Sequence, residues 1–481
     1  MSRRTKIVTT LGPGTDDPEV LEQLIIAGAN VVRLNFSHGT AEEHKSRANM
    51  VRSLADKHGR NVAILGDLQG PKIRISKFTS GSITLKQGDA FALDASLDEN
   101  AGDQTQVGID YKALPNDVEV GDELLLDDGR LSLRVTGIDG DCINTEVLQG
   151  GTLSNNKGIN RRGGGLSAPS LTDKDRMDII TAAEIEVDYV AVSFPRSADD
   201  IQEATKLLRN AGSKAGIVAK IERAEVGLNP DLLDEIIKAS AAVMVARGDL
   251  GVEIGDAELI SVQKHIIKRA RMLNKLVITA TQMMESMITS PIPTRAEVFD
   301  VANSVLDGTD AVMLSAETAT GAHPVKVVEA ISRVCLGAEQ HKIATSSDHR
   351  VATEFEYIDE AIAMATMYTA NHLQGVKAIL CLTESGSTPL WMSRIRSGIP
   401  IFALTRHDFT RRKVALFRGV EAIHYDATAV ERKDVNRMAV RELEARNLVK
   451  RGDLVILTKG EHMGIDGGTN AMKILRVGEV P

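Results

Sequence analysis

The sequence predicts an α/β protein built on a closed (β/α)8 TIM barrel, with an all-β segment inserted into it and an open α/β sheet appended. Three observations carry that prediction. Short apolar runs rich in β-branched residues alternate with helical patterns, as repeated βα units with parallel strands require. Eight such runs end at Thr10, Asn35, Asp67, Phe194, Glu222, Gly248, Thr281 and Ser315. Their spacings are 25, 32, 127, 28, 26, 33 and 34 residues, so one interval exceeds the rest by about a hundred and marks an insertion.

The chain opens on a basic stretch, Arg3-Arg4-Thr5-Lys6, that leads straight into the strand-like Ile7-Val8-Thr9-Thr10 and not into a signal-peptide core. Residues 71–165 have a different texture. Runs at 83–85, 91–93, 123–126, 131–135 and 143–147 are separated by Gly and Asp turns such as Asp128-Gly129 and Asp139-Gly140, which are hairpin signals. The insert leaves after the third strand, at the end where barrel active sites lie, so a lid is its expected role. Gly163-Gly164-Gly165 reads as a hinge. The barrel beat stops near Ala338, and 340–354 reads as a linker. A helix at 358–373 and strands at 378–382, 401–404, 422–424, 454–458 and 472–477 then suggest a mostly parallel open sheet. The expected domains are 1–70 with 166–338 for the barrel, 71–165 for the lid and 339–481 for the C-terminal unit.

A length of 481 residues fits about three domains. A net charge of −9 argues against broad affinity for nucleic acid or an anionic membrane surface, so any anionic ligand must be caught locally. No run approaches the eighteen or so apolar residues of a membrane span. Cys142, Cys335 and Cys381 are few and unclustered, which fits buried thiols in a reducing compartment, and the cytoplasm is the expected location.

Chemistry concentrates on the fifth and sixth strands. Alternate residues of a strand share a face, so Lys220 and Glu222 point the same way out of an apolar run. Gly248-Asp249 ends the next strand, a small residue beside a carboxylate. Two carboxylates beside an ammonium suit a Mg²⁺ ion that holds an anionic substrate. The structural alternative is a buried Lys220–Glu222 pair with Asp249 capping a helix. In a barrel, Arg33, Asn35, Ser37, Asp67, Ser193, Thr281, Ser315 and Glu317 join them at one mouth. Arg74 and Lys157 add cations from the lid, an inventory that fits phosphoryl transfer. No Walker A loop or protein-kinase motif set is present.

Five long motifs occur in family order: Val32-Arg33-Leu34-Asn35-Phe36-Ser37-His38-Gly39, Gly66-Asp67-Leu68-Gln69-Gly70-Pro71-Lys72-Ile73-Arg74, Ala219-Lys220-Ile221-Glu222, Ala246-Arg247-Gly248-Asp249-Leu250-Gly251 and Ala280-Thr281-Gln282-Met283-Met284-Glu285-Ser286-Met287. With them the chain resembles pyruvate kinases from its first strand to its last unit. The resemblance implies transfer of phosphate from phosphoenolpyruvate to ADP, giving pyruvate and ATP, by a homotetramer with a C-terminal effector domain. It implies that Glu222 and Asp249 hold Mg²⁺, with Mn²⁺ as a substitute. Lys220, Arg33 and Thr281 would be catalytic, and Ser193, Ala246, Gly248 and Asp249 would contact phosphoenolpyruvate with them. Asn35, His38, Arg74 and Lys157 would orient the nucleotide, and a water relay near Thr281, Ser315 and Glu317 would protonate the enolate.

Members that need K⁺ hold it near positions matching Asn35, Ser37, Asp67 and Leu68, with a glutamate where this chain has Lys72. The Lys72 ammonium is expected to replace K⁺, so that K⁺ is not required. In the last unit, Thr383, Ser385, Ser387 and Thr388 resemble the family's effector loop, placed between a strand and a helix where hydroxyls and backbone NH groups suit an anion. Glu384 stands where activation by fructose 1,6-bisphosphate usually involves a cation, so a monophosphorylated metabolite is the expected activator. Ordinary helix capping by Ser387 or Thr388 remains an alternative. So do a Mg²⁺-dependent lyase or aldolase acting on pyruvate, for which lid cations would have no polyphosphate to close upon, and a non-catalytic metabolite sensor.

Overall fold

Eight parallel strands, Lys6–Thr10, Val31–Asn35, Ala63–Asp67, Tyr189–Val192, Gly216–Ile221, Ala242–Ala246, Leu276–Ala280 and Ala311–Leu314, pair in sequence order. The first then pairs with the eighth to close the barrel, Lys6 opposite Ala311. The computed structural model describes residues 3–345, 354–461 and 464–479. Of the barrel-strand residues only Arg33, Asn35, Gly216 and Lys220 are less than fully buried. Three of those four are polar and lie near the C-terminal ends of their strands, which already locates the mouth.

The intervening helices start where the sequence supplies caps. Thr40 with Glu43, Thr172 with Asp175 and Thr294 with Glu297 form capping boxes, in which each side chain satisfies a backbone NH that the first helical turn leaves free. Outward strand residues such as Val32, Ile64, Val190 and Val243 pack against apolar helix faces including Ile201, Ile236 and Ile266.

The insert forms a six-stranded sheet and a separate two-stranded ribbon, Ser82–Leu85 with Gly151–Ser154, over a core of its own. The five predicted strand runs are present. Three further short strands, Gln106–Gly108, Gly151–Ser154 and Ile159–Arg161, complete the sheets. Both predicted Gly turns hold their glycine at positive φ, 83° at Gly129 and 57° at Gly140.

The C-terminal sheet has four parallel strands and one antiparallel edge, Thr469–Arg476 against Leu454–Gly460. It covers the barrel end opposite the mouth. Tyr189, at the start of its strand, donates to the Lys413 carbonyl at 2.7 Å. Asp188 and Asp310, each just before a barrel strand, pair with Arg412 and Arg394. The expected linker falls mostly outside the described residues, and its first part forms a turn at Lys342–Ala344.

Several strands end one or two residues sooner than the sequence suggests. The fourth stops at Val192 and the sixth at Ala246, where Arg247–Ile254 turns into a helix. Polar residues expected at strand tips therefore sit in the first turn beyond them.

Candidate active site

A chain of polar contacts crosses the barrel mouth from strand to strand. Arg33 donates from Nε to Asp67 at 2.6 Å and from Nη1 to Thr10 at 3.1 Å. Lys220 Nζ lies 3.5 Å from the other Asp67 oxygen, donates to Ser193 Oγ at 2.8 Å and pairs with Glu222 at 2.9 Å. Ser193 in turn donates to the Leu68 carbonyl at 2.8 Å. The strand alternation predicted for Lys220 and Glu222 is thus realised as a direct contact.

Burial works against the Lys220 charge, but Asp67 and Glu222 outweigh it and raise the pKa above the usual lysine range. The two carboxylates thus favour the charged ammonium over the neutral amine. Burial likewise opposes the Asp67 carboxylate, and Lys220 with Arg33 pulls its pKa below the usual value. Glu222 moves the other way. Burial and then the neighbouring Asp249 charge push its carboxyl up against the pull of Lys220, whose charge is shared with Asp67. Two close carboxylates with incomplete compensation are a place for a further cation.

Asp249 sits in the first turn of the helix Arg247–Ile254, where Lys72 Nζ approaches it at 3.5 Å. Lys72 therefore reaches one of the two proposed metal carboxylates, a contact that sequence spacing did not indicate. Among the described residues there is no group of three or more His, Cys, Asp or Glu arranged to hold a metal. Glu222 and Asp249 alone fit Mg²⁺, which takes one or two protein carboxylates and fills its remaining positions with substrate oxygens and water.

Thr281 completes the other side. Its φ is 68°, and the next residue, Gln282, is at 54°, a left-handed pair that non-glycine residues rarely adopt. Arg247 holds this turn. Its guanidinium donates to the carbonyls of Ala280, at 3.1 Å, and Thr281, and is fixed from behind by both oxygens of Asp300 at 2.7 Å. Gly248 NH donates to Thr281 Oγ1 at 2.9 Å, and that hydroxyl donates in turn to the Ala280 carbonyl at 2.6 Å, so the NH and the hydroxyl lie side by side with both protons engaged. Phe194, at φ 53°, is similarly pinned, its NH on Glu222 at 2.7 Å and its carbonyl on Arg223 at 2.9 Å.

Other expected residues are engaged elsewhere. Asn35 accepts from the Ser37 NH at 3.2 Å, and His38 is exposed. In the lid, Arg74 donates to the Asn156 carbonyl at 3.0 Å and Lys157 pairs with Asp127 at 2.7 Å, so neither touches the mouth cluster. Glu317 spends both oxygens on backbone NH groups, Met284 at 3.2 Å and Ser315 at 2.6 Å, and so ties two loops together. Ala246 ends the sixth strand beside this turn.

The lid joins the barrel through buried groups that sequence reasoning missed. Arg223 donates to the Leu166 carbonyl at 2.7 Å, and Glu253 accepts from the Ala224 NH at 2.8 Å and from Asn160 at 3.4 Å. The only sequence signal for these residues was a charged residue next to a motif. Gly164, at φ 78°, has no room for a side chain: a Cβ would lie 1.9 Å from a Glu225 oxygen.

In the C-terminal unit, Thr383, Ser385, Ser387 and Thr388 line one cavity with Gly464 and Gly468. Ser385 and Ser387 hydroxyls are 2.9 Å apart, Thr383 Oγ1 accepts the Gly386 NH at 3.0 Å, and Thr388 donates to Thr469 at 2.8 Å. Glu384 is gripped by Arg406 at 3.3 Å and by His407.

Comparison with known proteins agrees along the whole chain. Two family models match, "Pyruvate kinase, barrel domain" over residues 2–328 and "Pyruvate kinase, alpha/beta domain" over residues 360–475. The chain is 59% identical over 475 residues to pyruvate kinase II of Salmonella typhimurium, covering 99% of each. It is 58% identical over 458 residues to a pyruvate kinase of Haemophilus influenzae, covering 95% of this chain and 96% of that one. The crystal structure of a pyruvate kinase from Cryptosporidium parvum superposes with a TM-score of 0.91 at 34% identity, covering 100% of this chain and 96% of that one.

Proposed function

The chain belongs to the pyruvate kinase family, and we propose that it transfers the phosphoryl group of phosphoenolpyruvate to ADP, yielding pyruvate and ATP, with Mg²⁺ or Mn²⁺ at Glu222 and Asp249. The observation that carries this reading is Lys220, fully charged between Asp67, Ser193 and Glu222 in the mouth of the barrel. When bound, the metal supplies charge to the substrate's carboxylate and enolate oxygens. Lys220 neutralises the migrating phosphoryl group and then the enolate oxygen left behind, an electrostatic task suited to a preorganised ammonium. The substrate carboxylate takes the Gly248 NH and Thr281 hydroxyl, which requires the NH to leave Thr281 Oγ1 and the hydroxyl to leave the Ala280 carbonyl, with Ala246 and Ser193 beside it, and Arg33 reaches the phosphoryl group.

Asn35, His38, Arg74 and Lys157 orient the nucleotide, which requires Lys157 to exchange Asp127 for phosphate as the lid closes. The lid is taken as residues 71–165, the barrel as 1–70 with 166–338 and the effector unit as 339–481. Lys72 stands in for K⁺ near Asn35, Ser37, Asp67 and Leu68, so turnover does not depend on K⁺. A monophosphorylated metabolite bound at Thr383, Ser385, Ser387 and Thr388 activates a homotetramer, Glu384 disfavouring a second phosphate to the extent that its pairing with Arg406 and His407 leaves its charge uncompensated. The cytoplasm is the place of action. Among the described residues no helix is long and apolar enough to cross a membrane.

An assay of pyruvate formed from phosphoenolpyruvate tests the reading. Product should require both ADP and a divalent ion. Pyruvate formed at the same rate without ADP would point to a lyase, and no product under any condition to a sensor.

A further inference from the structure

Five arginines crowd the seam between the base of the barrel and the C-terminal sheet: Arg4, Arg271, Arg394, Arg396 and Arg418. The carboxylates that face them are already engaged. Both Asp310 oxygens serve Arg394. Both Glu339 oxygens accept from the Arg4 NH, at 3.1 and 2.9 Å, and one also accepts from Thr5. Asp307 is held by Lys264 and by Asn303.

Arg271, Arg396 and Arg418 consequently have no carboxylate ion pair among the described residues. Their guanidinium groups donate only to carbonyls, Arg271 to Arg394 at 3.0 Å, Arg396 to Ile343 at 2.9 Å, Leu306 at 2.7 Å and Asp307 at 3.0 Å, and Arg418 to Val305 and Thr309 at 3.1 Å each, while the Arg418 backbone NH donates to Asp310 at 3.3 Å. These bonds do not use up the donors. Arg418 is 7% exposed, and its Nη2 is buried with no hydrogen-bond partner, as is Arg396 Nε. Burial, followed by the neighbouring Arg396, Arg394 and Arg418 charges, pulls the Arg271 pKa down to about 9. Buried guanidinium groups that face one another without a counter-ion are costly, and unsatisfied donors add to that cost.

The groups line one small cavity at the seam, whose lining includes Arg4, Arg271, Gly308, Arg396 and Arg418. Gly308 is part of the fit, since a Cβ there would lie 2.8 Å from Arg271 Nη1 and 3.1 Å from Arg396 Nη2. Planar guanidinium forks that converge on one space match the oxygens of a tetrahedral anion. We propose that this seam binds a tetrahedral oxyanion of the phosphate class, held by Arg271, Arg396 and Arg418 between barrel and C-terminal sheet. The site is separate from the barrel mouth and from the loop at Thr383 to Thr388. Its occupant joins Arg271, on the barrel helix Asp256–Met272, to Arg418 of the C-terminal unit, and so stiffens their junction.

Crystals of the full chain soaked in selenate test this directly, because selenium scatters anomalously and the ion copies phosphate. The expected result is a peak within hydrogen-bond reach of Arg271 and Arg418. In the Arg271→Met chain, which should melt no lower than the parent because one bond is lost but a buried like charge is removed, occupancy at the same selenate concentration should fall about tenfold or more. Arg271→Lys should restore part of it. A parallel soak in phenyl phosphate separates the sources, density for the ester identifying an organic phosphate and its exclusion identifying the free ion. Anomalous peaks confined to the mouth and the 383–388 loop, or an undiminished seam peak in Arg271→Met, would overturn the proposal.

Discussion

Thr281 adopts a conformation that a β-branched side chain avoids, at a cost of roughly 1–3 kcal/mol, and Arg247 is what holds it there. A lysine at 247 would keep the charge but lose the planar fork that joins Asp300 to two carbonyls. We expect Arg247→Lys to lower kcat/KM for phosphoenolpyruvate by about 10–100-fold through misplacement of the Thr281 hydroxyl, measured in steady-state kinetics beside an unchanged circular dichroism spectrum. The contact of Lys220 with Glu222 was legible, since strand alternation puts them on one face. The role of Arg247 was not, because its partners come from more than thirty residues away and no local pattern encodes them. Lys72 gives a second residue-scale prediction. If its ammonium supplies the charge that K⁺ supplies elsewhere, the parent enzyme should turn over equally in Na⁺ and K⁺ salts at matched ionic strength, and Lys72→Glu should introduce a K⁺ requirement of about tenfold or more in kcat. A parent rate that rises strongly and specifically with K⁺ would refute it.

The helix Arg247–Ile254 links the site to the lid, carrying Asp249 toward the mouth and Glu253 toward Asn160 and Ala224. Burial pushes the Glu253 carboxyl up to about 7. Below about pH 4.5 this group is protonated in folded and unfolded chains alike, and its protonated form is fully accommodated. As the pH rises toward 7 the unfolded chain releases the proton first, so stability of about 3 kcal/mol is lost across that window. Glu253→Gln removes the titration, and its melting temperature relative to the parent should rise from pH 5 to about pH 7 and level off above it in scanning calorimetry. A difference independent of pH would show that Glu253 ionises freely in the folded protein. At this scale the barrel strands were readable from their spacing, whereas Gln106–Gly108, Gly151–Ser154 and Ile159–Arg161 were not. Runs of three or four residues are too short to show alternation, and they exist because the lid sheet offers them a partner edge.

Across the whole molecule, the barrel presents its two ends to different tasks. The mouth gathers Arg33, Asp67, Lys220, Glu222 and Asp249, and the opposite end is closed by the C-terminal sheet through Tyr189, Asp188 and Asp310. The order of these units followed from the rhythm of the sequence. Their mutual packing depends on long side chains such as Arg394 and Arg412, whose partners no periodicity announces. The most direct measurement of the account is phosphorus NMR of phosphoenolpyruvate and ADP with Mg²⁺. The parent chain should form one ATP for each phosphoenolpyruvate consumed, and folded Lys220→Met should be slower by about a thousandfold or more. A folded Glu222→Gln, Asp249→Asn chain that keeps the parent's turnover would contradict it.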